Sequence, residues 1–175
     1  MDQFDIVTDE YGNRVVVIPD IIFTNKQDID WTQVEIYLER YVGKIIEITD
    51  SQDMVYIGNQ FPNEYSGSKY TRKAKGARAK AKANASQGIL EMLEIATNKV
   101  YRENHKEKHM GDAEKGWYYY ITRFALPIYD NEIKTDKYNV YSARIVINFA
   151  ANGKMFLYDI VDIKKEASNP LKITK

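Results

Sequence analysis

The sequence predicts an α+β domain, and three observations carry that reading. Apolar residues recur with helical spacing from Trp31 to Val42, an alanine-, lysine- and arginine-rich stretch begins at Lys69, and the last third alternates apolar and polar residues with period two. The 175 residues suit one domain, 1–175, long enough to bury a core unaided. Cysteine is absent, which excludes disulfides and thiolate metal ligands. No apolar run approaches the ~18–20 residues of a membrane span, so no membrane partner is expected. The opening MDQFDIVTDEYG is acidic and unlike a secretory signal. A cytoplasmic location is the expectation.

Each element has its own warrant. FDIVTDEYGNRVVVIP reads as two short strands around a Gly-Asn turn, from about Phe4 to Ile18, closed by Pro19. Asp30 caps the next helix, with Gln33 three residues on as in a capping box. Trp31, Val34, Tyr37, Leu38, Tyr41 and Val42 form its apolar stripe. Lys44–Thr49 and Met54–Ile57 are short strands split by a polar turn, and FPNEYSG (Phe61–Gly67) is expected as a loop. Ser68 is an N-cap candidate for the segment that follows. There Ala74, Ala77, Ala81, Ala85, Gly88, Met92 and Ile95 make a stripe predicted to face the core, while Arg72, Lys75, Arg78 and Lys82 project elsewhere. Gly76 and Gly88 each cost about 1 kcal/mol against Ala. One bent helix, or two consecutive ones with a break near Gln87–Gly88, is therefore expected to end near Tyr101. The remainder is a predicted antiparallel meander of three or four strands. Trp117–Ile128 forms one strand, and Tyr138–Phe149 places Tyr141, Ala143, Ile145, Ile147 and Phe149 on one face. A turn at Asn152–Gly153 leads to Met155–Ile163, and a polar tail leaves the sheet from Lys164.

Formal net charge is zero, but its distribution is uneven. Seven cations, Lys69, Arg72, Lys73, Lys75, Arg78, Lys80 and Lys82, stand in one window without an acid, against an acidic remainder. Such a run matches the phosphates of a nucleic-acid backbone, RNA or DNA. It also fits a solvated Ala/Lys helix face or an acidic protein partner. Only Tyr70 interleaves the cations, so sequence-specific stacking within the run has no support.

A second candidate is NHKEKHMGDAEKGW, which holds both histidines, His105 and His109, among Lys106, Lys108 and Lys115. Attack of a ribose 2′-hydroxyl on phosphorus needs a base, an acid and a cation on the phosphate. Histidine suits the first two roles, and an arginine such as Arg144 suits the third. The bland alternative is a pair of exposed histidines without a task. Metal binding fits less well, since Lys106 stands where the zinc-protease pattern needs Glu, and a third ligand would have to be Asp112 or Glu114. No metal and no cofactor is expected. Arg123 and Arg144 lie in predicted strands; Arg144 falls on the face opposite Ile145 and Ile147, beside Ser142 and Asn148. That face is either the wet side of a sheet or the floor of a phosphate site. No P-loop, dinucleotide fingerprint or nucleophile elbow occurs, which removes ATPase, dehydrogenase and α/β-hydrolase readings.

The strings SKYTRKAKGARAKAKANASQGILEMLEIATNK, ENHKEKHMGDAEKGWYYYITRFALPIYD and YNVYSARIVINFAANGKMFLYDIVDIKKEASNPL resemble the large polyvalent protein-associated domains of bacterial conjugative elements and phages, over about Asp20 to Leu171. That resemblance implies a mobile-element context and action alongside transferred DNA. The order of helix, polar His/Lys stretch and meander is also similar to the barnase–colicin–RelE-like metal-independent ribonucleases. This likeness is architectural, and the varied catalytic sets of that class transfer no residue by position. The expectation is a mobile-element accessory module that binds nucleic acid through the basic helix. In its sharper form it is a metal-independent ribonuclease using His105, His109 and Arg144. The rival is a non-catalytic scaffolding domain of a larger protein.

Overall fold

The computed structural model describes residues 3–24, 28–103, 115–166 and 169–173. The chain runs β1 (Ile6–Thr8), β2 (Arg14–Val17), α1 (Trp31–Leu38), β3 (Ile45–Ile48), β4 (Asp53–Tyr56), α2 (Phe61–Gly67), α3 (Lys69–Lys73), α4 (Ala77–Ala85), α5 (Ile89–Glu94), β5 (Thr97–Arg102), β6 (Gly116–Asp130), β7 (Ile133–Phe149), β8 (Met155–Lys165) and β9 (Leu171–Lys172). The fold is α+β, with a long β6–β7 hairpin as the spine of a mixed sheet. Its turn consists of Asn131 and Glu132, both with positive φ (49° and 67°), as a tight two-residue hairpin turn requires.

The sheet order is β1-β2-β6-β7-β8-β4-β3, with β5 beside β6 and β9 beside β7. β2 runs parallel to β6, and β4 parallel to β8. The predicted C-terminal meander is thus part of a larger sheet that recruits the N-terminal strands. These parallel pairings join segments far apart in sequence, so no local pattern announces them. The polar tail also returns: Lys164 and Lys165 still belong to β8, and Leu171 pairs with Tyr138.

Several local expectations meet the structure directly. Asp30 accepts from the Thr32 and Gln33 amides at the start of α1, and Ser68 accepts from the Thr71 amide at the start of α3. FPNEYSG is helical, not a loop. Pro62 stands in the first turn of α2, where its missing N–H costs nothing, and Phe61 and Tyr65 bury their rings. The basic segment is three helices. Ala74 is extended and Gly76 has φ 61°, which breaks α3 from α4, while a 3-10 turn at Ser86–Gly88 precedes α5. Helix ends at Glu94, and Thr97–Arg102 is a strand. Ala77 of the expected stripe is exposed, whereas residues 81–89 are buried all round.

That central helix is roofed by the N-terminal chain and by α1 and α2. Its buried polar groups find partners there, as buried groups must. Asn84 Oδ1 accepts from the Ile22 and Phe23 amides, Gln87 Nε2 donates to the Asp20 carbonyl, and the Tyr41 hydroxyl donates to the Ser86 carbonyl. Below it lie Ala143, Ile145 and Ile147 of β7, all buried, with Tyr141 stacked 5.2 Å from Phe124. At one margin Asp53 accepts from Tyr120 at 2.6 Å and from Lys99 at 3.0 Å, tying β4 to β5 and β6. Burial alone would raise the Asp53 carboxyl, but the hydrogen bonds from Tyr120 and Lys99, with the Lys99 charge, hold it below its ordinary value.

Candidate nucleic-acid interface

The helices cover one face of the sheet. On the other, period-two alternation sets Trp117, Tyr119, Ile121 and Arg123 of β6 in register with Asn148, Val146, Arg144 and Ser142 of β7. A small second core (Val15, Val17, Ala125, Tyr138 and Val140) occupies this face at the β1–β2 end, packed by Leu171 and Ile173. Beyond it, Tyr119, Ile121 and Val146 are half-buried and Arg144 is exposed. The Arg144 guanidinium lies 5.6 Å from the Tyr119 ring centroid, and Trp117 meets Tyr158 of β8 edge-on at 4.9 Å. Arg123 donates to Glu166 at 3.0 Å. This face therefore sets the half-buried Tyr119 ring beside the exposed Arg144 guanidinium, while Trp117 is only 9% exposed.

Asp162 connects it to the basic segment. A register shift in the β7–β8 pairing leaves Asp162 at φ 52°, the kind of bulge that re-aims a side chain. Its carboxylate stands 3.2 Å from Arg144. The next amide, Ile163 N, donates to the Tyr70 hydroxyl of α3 at 2.9 Å. Burial raises the Tyr70 pKa, the Ile163 amide and the nearby Arg78 charge oppose that rise, and Asp162 and Asp159 add to it. Tyr70, Asp162 and Arg144 are thus linked through β8, and the Arg78 charge lies near enough to act on Tyr70.

The predicted cations divide unequally. Lys69, Arg72, Lys73, Lys75 and Arg78 are exposed and Lys80 is half-buried. Lys82 is not on that surface. It is 0% exposed, with Nζ 2.6 Å from Asp159 Oδ1 and 4.5 Å from the Tyr65 ring centroid. The turn of α4 that carries it is closed over by α2 and β8, so Lys82 is withdrawn from the nucleic-acid set. Burial pulls its pKa down and pushes that of Asp159 up, each opposed by the other's charge.

Arg144 lies where the alternation placed it, opposite Ile145 and Ile147 and beside Ser142. His105 and His109 lie outside the described residues, as do Asp112 and Glu114. The flanking residues are described: Arg102 pairs with Trp117, and the Lys115 amide donates to the Phe149 carbonyl. Both ends of that segment therefore stand at the Trp117 end of the open face. Gly116, at φ 112°, is required there, because a Cβ would stand 2.6 Å from the Arg102 carbonyl oxygen. Sequence reasoning passed over Trp117, Tyr119 and Tyr158. The alternation in WYYYITR was the available signal, since it separates Trp117, Tyr119, Ile121 and Arg123 from the core-facing Tyr118 and Tyr120.

Comparison with family models, with curated proteins and with solved structures returns no match. No helix among the described residues is long and apolar enough to cross a membrane.

Proposed function

We propose that this chain binds single-stranded nucleic acid across the open sheet face, with the exposed cations of α3 and α4 extending the track. The observation that carries the reading is the exposed Arg144 beside the Tyr119 ring, linked through the Asp162 bulge to Tyr70 of α3. Rings on a sheet face stack unpaired bases, at about 1–3 kcal/mol per base. Guanidinium and ammonium groups hold the backbone between them. Arg144 and Asp162 are each 46% exposed. An ion pair this open is worth about 0–1 kcal/mol, so a phosphate competes with it at little cost.

RNA is the substrate in the sharper form of this proposal. One histidine of His105 and His109 takes the 2′-hydroxyl proton as that oxygen attacks phosphorus. The other protonates the departing 5′ oxygen, leaving a cyclic phosphate, and Arg144 neutralises the charge developing on the phosphoryl oxygens. The mobile-element and cytoplasmic setting rests on the resemblance and composition alone.

The test is binding and cleavage of a mixed RNA pool in excess EDTA, by wild type, Arg144→Ala, Tyr119→Ala and a His105→Ala/His109→Ala variant. Tyr119→Ala and Arg144→Ala should each weaken binding about tenfold, which is 1.4 kcal/mol. Cleavage that the double-histidine variant lacks would support the ribonuclease. Binding without cleavage would leave a binding module. Absence of binding sinks the proposal.

A further inference from the structure

Past β8 and β4 the sheet ends at β3, and a groove of about 730 Å³ lies between that strand, α5 and the turn after α1. We propose that the groove receives an extended peptide of a partner protein as one more strand, antiparallel to β3. The peptide carries a basic side chain toward its amino end and an acidic one toward its carboxyl end.

Among the described strands β3 pairs with β4 alone, antiparallel. Ladder bonds alternate along such a pair, so every second residue turns its N–H and C=O to the other side. The Ile57 amide donates to the Lys44 carbonyl, and the Gln52 amide to the Ile48 carbonyl. Lys44, Ile46 and Ile48 are therefore the residues whose backbone faces β4, and Ile45 and Glu47 turn theirs away. Both side chains are exposed, Ile45 by 49%. Thr49, next in the outward set, already has a partner, since its amide donates to the Glu94 carbonyl at the end of α5. A row of open backbone groups on an exposed edge is a template for a further strand.

The groove is also polarised along its length. The Tyr41 hydroxyl donates to the Ser86 and Gln87 carbonyls just before α5, so α5 starts beside the beginning of β3 and ends against Thr49. Arg40 and Lys44 line the groove where β3 begins, Glu47 and Glu94 where it ends. None of these four forms an ion pair with another described residue. Arg40 is held before any partner arrives: its Nε donates to the Tyr37 carbonyl at 3.0 Å, and its guanidinium lies 3.5 Å from the Tyr37 ring centroid.

These walls select the occupant. A nucleic-acid strand would set its phosphates against Glu47, Glu91 and Glu94. A peptide offers the backbone groups that Ile45 and Glu47 lack, and its apolar side chains can rest on Ile45 and Leu90. The charges admit a basic-to-acidic strand laid antiparallel, or the reverse order laid parallel. Antiparallel ladders are the more stable per residue, which favours the first. Lys44 and Glu47 stand about 10 Å apart at 3.4 Å per residue, so roughly five peptide residues reach both.

The test is amide NMR of the isotope-labelled full chain, titrated with the end-capped peptide Lys-Val-Thr-Val-Glu. Saturable shifts of the Ile45 and Glu47 amides, larger than those of Ile46 and Ile48, are expected. The reversed peptide Glu-Val-Thr-Val-Lys should bind about tenfold more weakly. N-methylation of the three central residues should abolish binding. Exchanging two exposed charges, Lys44→Glu with Glu47→Lys, should shrink the preference between the peptides severalfold and leave unfolding unchanged. Binding that survives N-methylation, or that moves neither the Ile45 nor the Glu47 amide, overturns the added strand. Equal affinity for both peptides, or tighter binding of the reversed one, overturns the antiparallel charge order. No binding at millimolar peptide overturns the proposal and leaves Lys44 and Glu47 as charges that guard a sheet edge from pairing.

Discussion

Arg78 and Lys82 stand one turn apart on the same stripe of α4, yet one is exposed and the other is 0% exposed. The helix presents both in the same direction, and the difference lies in what meets them. Around Lys82 the body of α2 brings Tyr65, whose hydroxyl donates to the Lys82 carbonyl, and β8 brings Asp159. Among the described residues nothing comparable closes over Arg78, which stays exposed, its charge acting on Tyr70. A run of like charges in sequence is therefore no measure of a charged surface, because one of its members serves as an internal tie.

The largest expected effect follows from that contrast. Lys82→Ala leaves Asp159 buried without its counter-charge, a loss of about 3–5 kcal/mol. Arg78→Ala should stay within about 0.5 kcal/mol of wild type. Lys82→Met with Asp159→Leu removes both charges at similar volume, and is expected near or above wild-type stability. Urea unfolding of the four proteins checks the series. A Lys82→Ala variant as stable as Arg78→Ala would mean that the ion pair is not the closed one described.

Lys99 occupies the middle rung. It meets Asp53 at 2.9 Å with 35% of its side chain exposed, against 17% for Asp53. Lys99→Ala should cost about 1 kcal/mol, near the top of the range for open pairs. The pair also has a pH signature of known sign. Because the folded Asp53 carboxyl is held low, its contribution is complete above the unfolded value of about 3.9. It disappears as pH falls through the lower folded value. The stability gap between wild type and Asp53→Asn should therefore be widest near neutrality and shrink on acidification below about pH 4. Unfolding at pH 7 and pH 3 measures it; a gap that grows in acid would reverse the assignment.

What the sequence made legible was local. The Asp30 cap, the Asn152–Gly153 turn and the alternation of Tyr141, Ala143, Ile145 and Ile147 depend on neighbours within a few residues, and so did the face of Arg144. What escaped needs a distant partner. Asp159 is 77 residues from Lys82, and β2 reaches β6 across more than half the chain. Thr97–Arg102 follows strong helix formers without Gly or Pro to mark the change; Asn98, at φ 59°, marks it only in three dimensions. FPNEYSG has the composition of a loop, but Phe61 and Tyr65 find a core that turns it into helix. At the candidate interface the arginine was visible, whereas its link to Tyr70 passes through a bulge at Asp162 that periodicity cannot foretell.

The smallest stability effect is paired with a functional one. Neutralising Arg72, Lys75 and Arg78 together should leave unfolding unchanged within about 0.5 kcal/mol per site, since all three are exposed. Every phosphate that loses its cation should flatten the dependence of log affinity on log salt by about 0.7 for a single strand. If all three cations touch phosphate, the slope falls by about 2, and Lys80→Ala alone changes it by less than a single phosphate would. Titration of one oligonucleotide at several salt concentrations reads this directly. A slope that survives the triple substitution would return α3 and the first turn of α4 to the role of solvated surface. The grip on the backbone would then rest on Arg144 and its neighbours on the sheet.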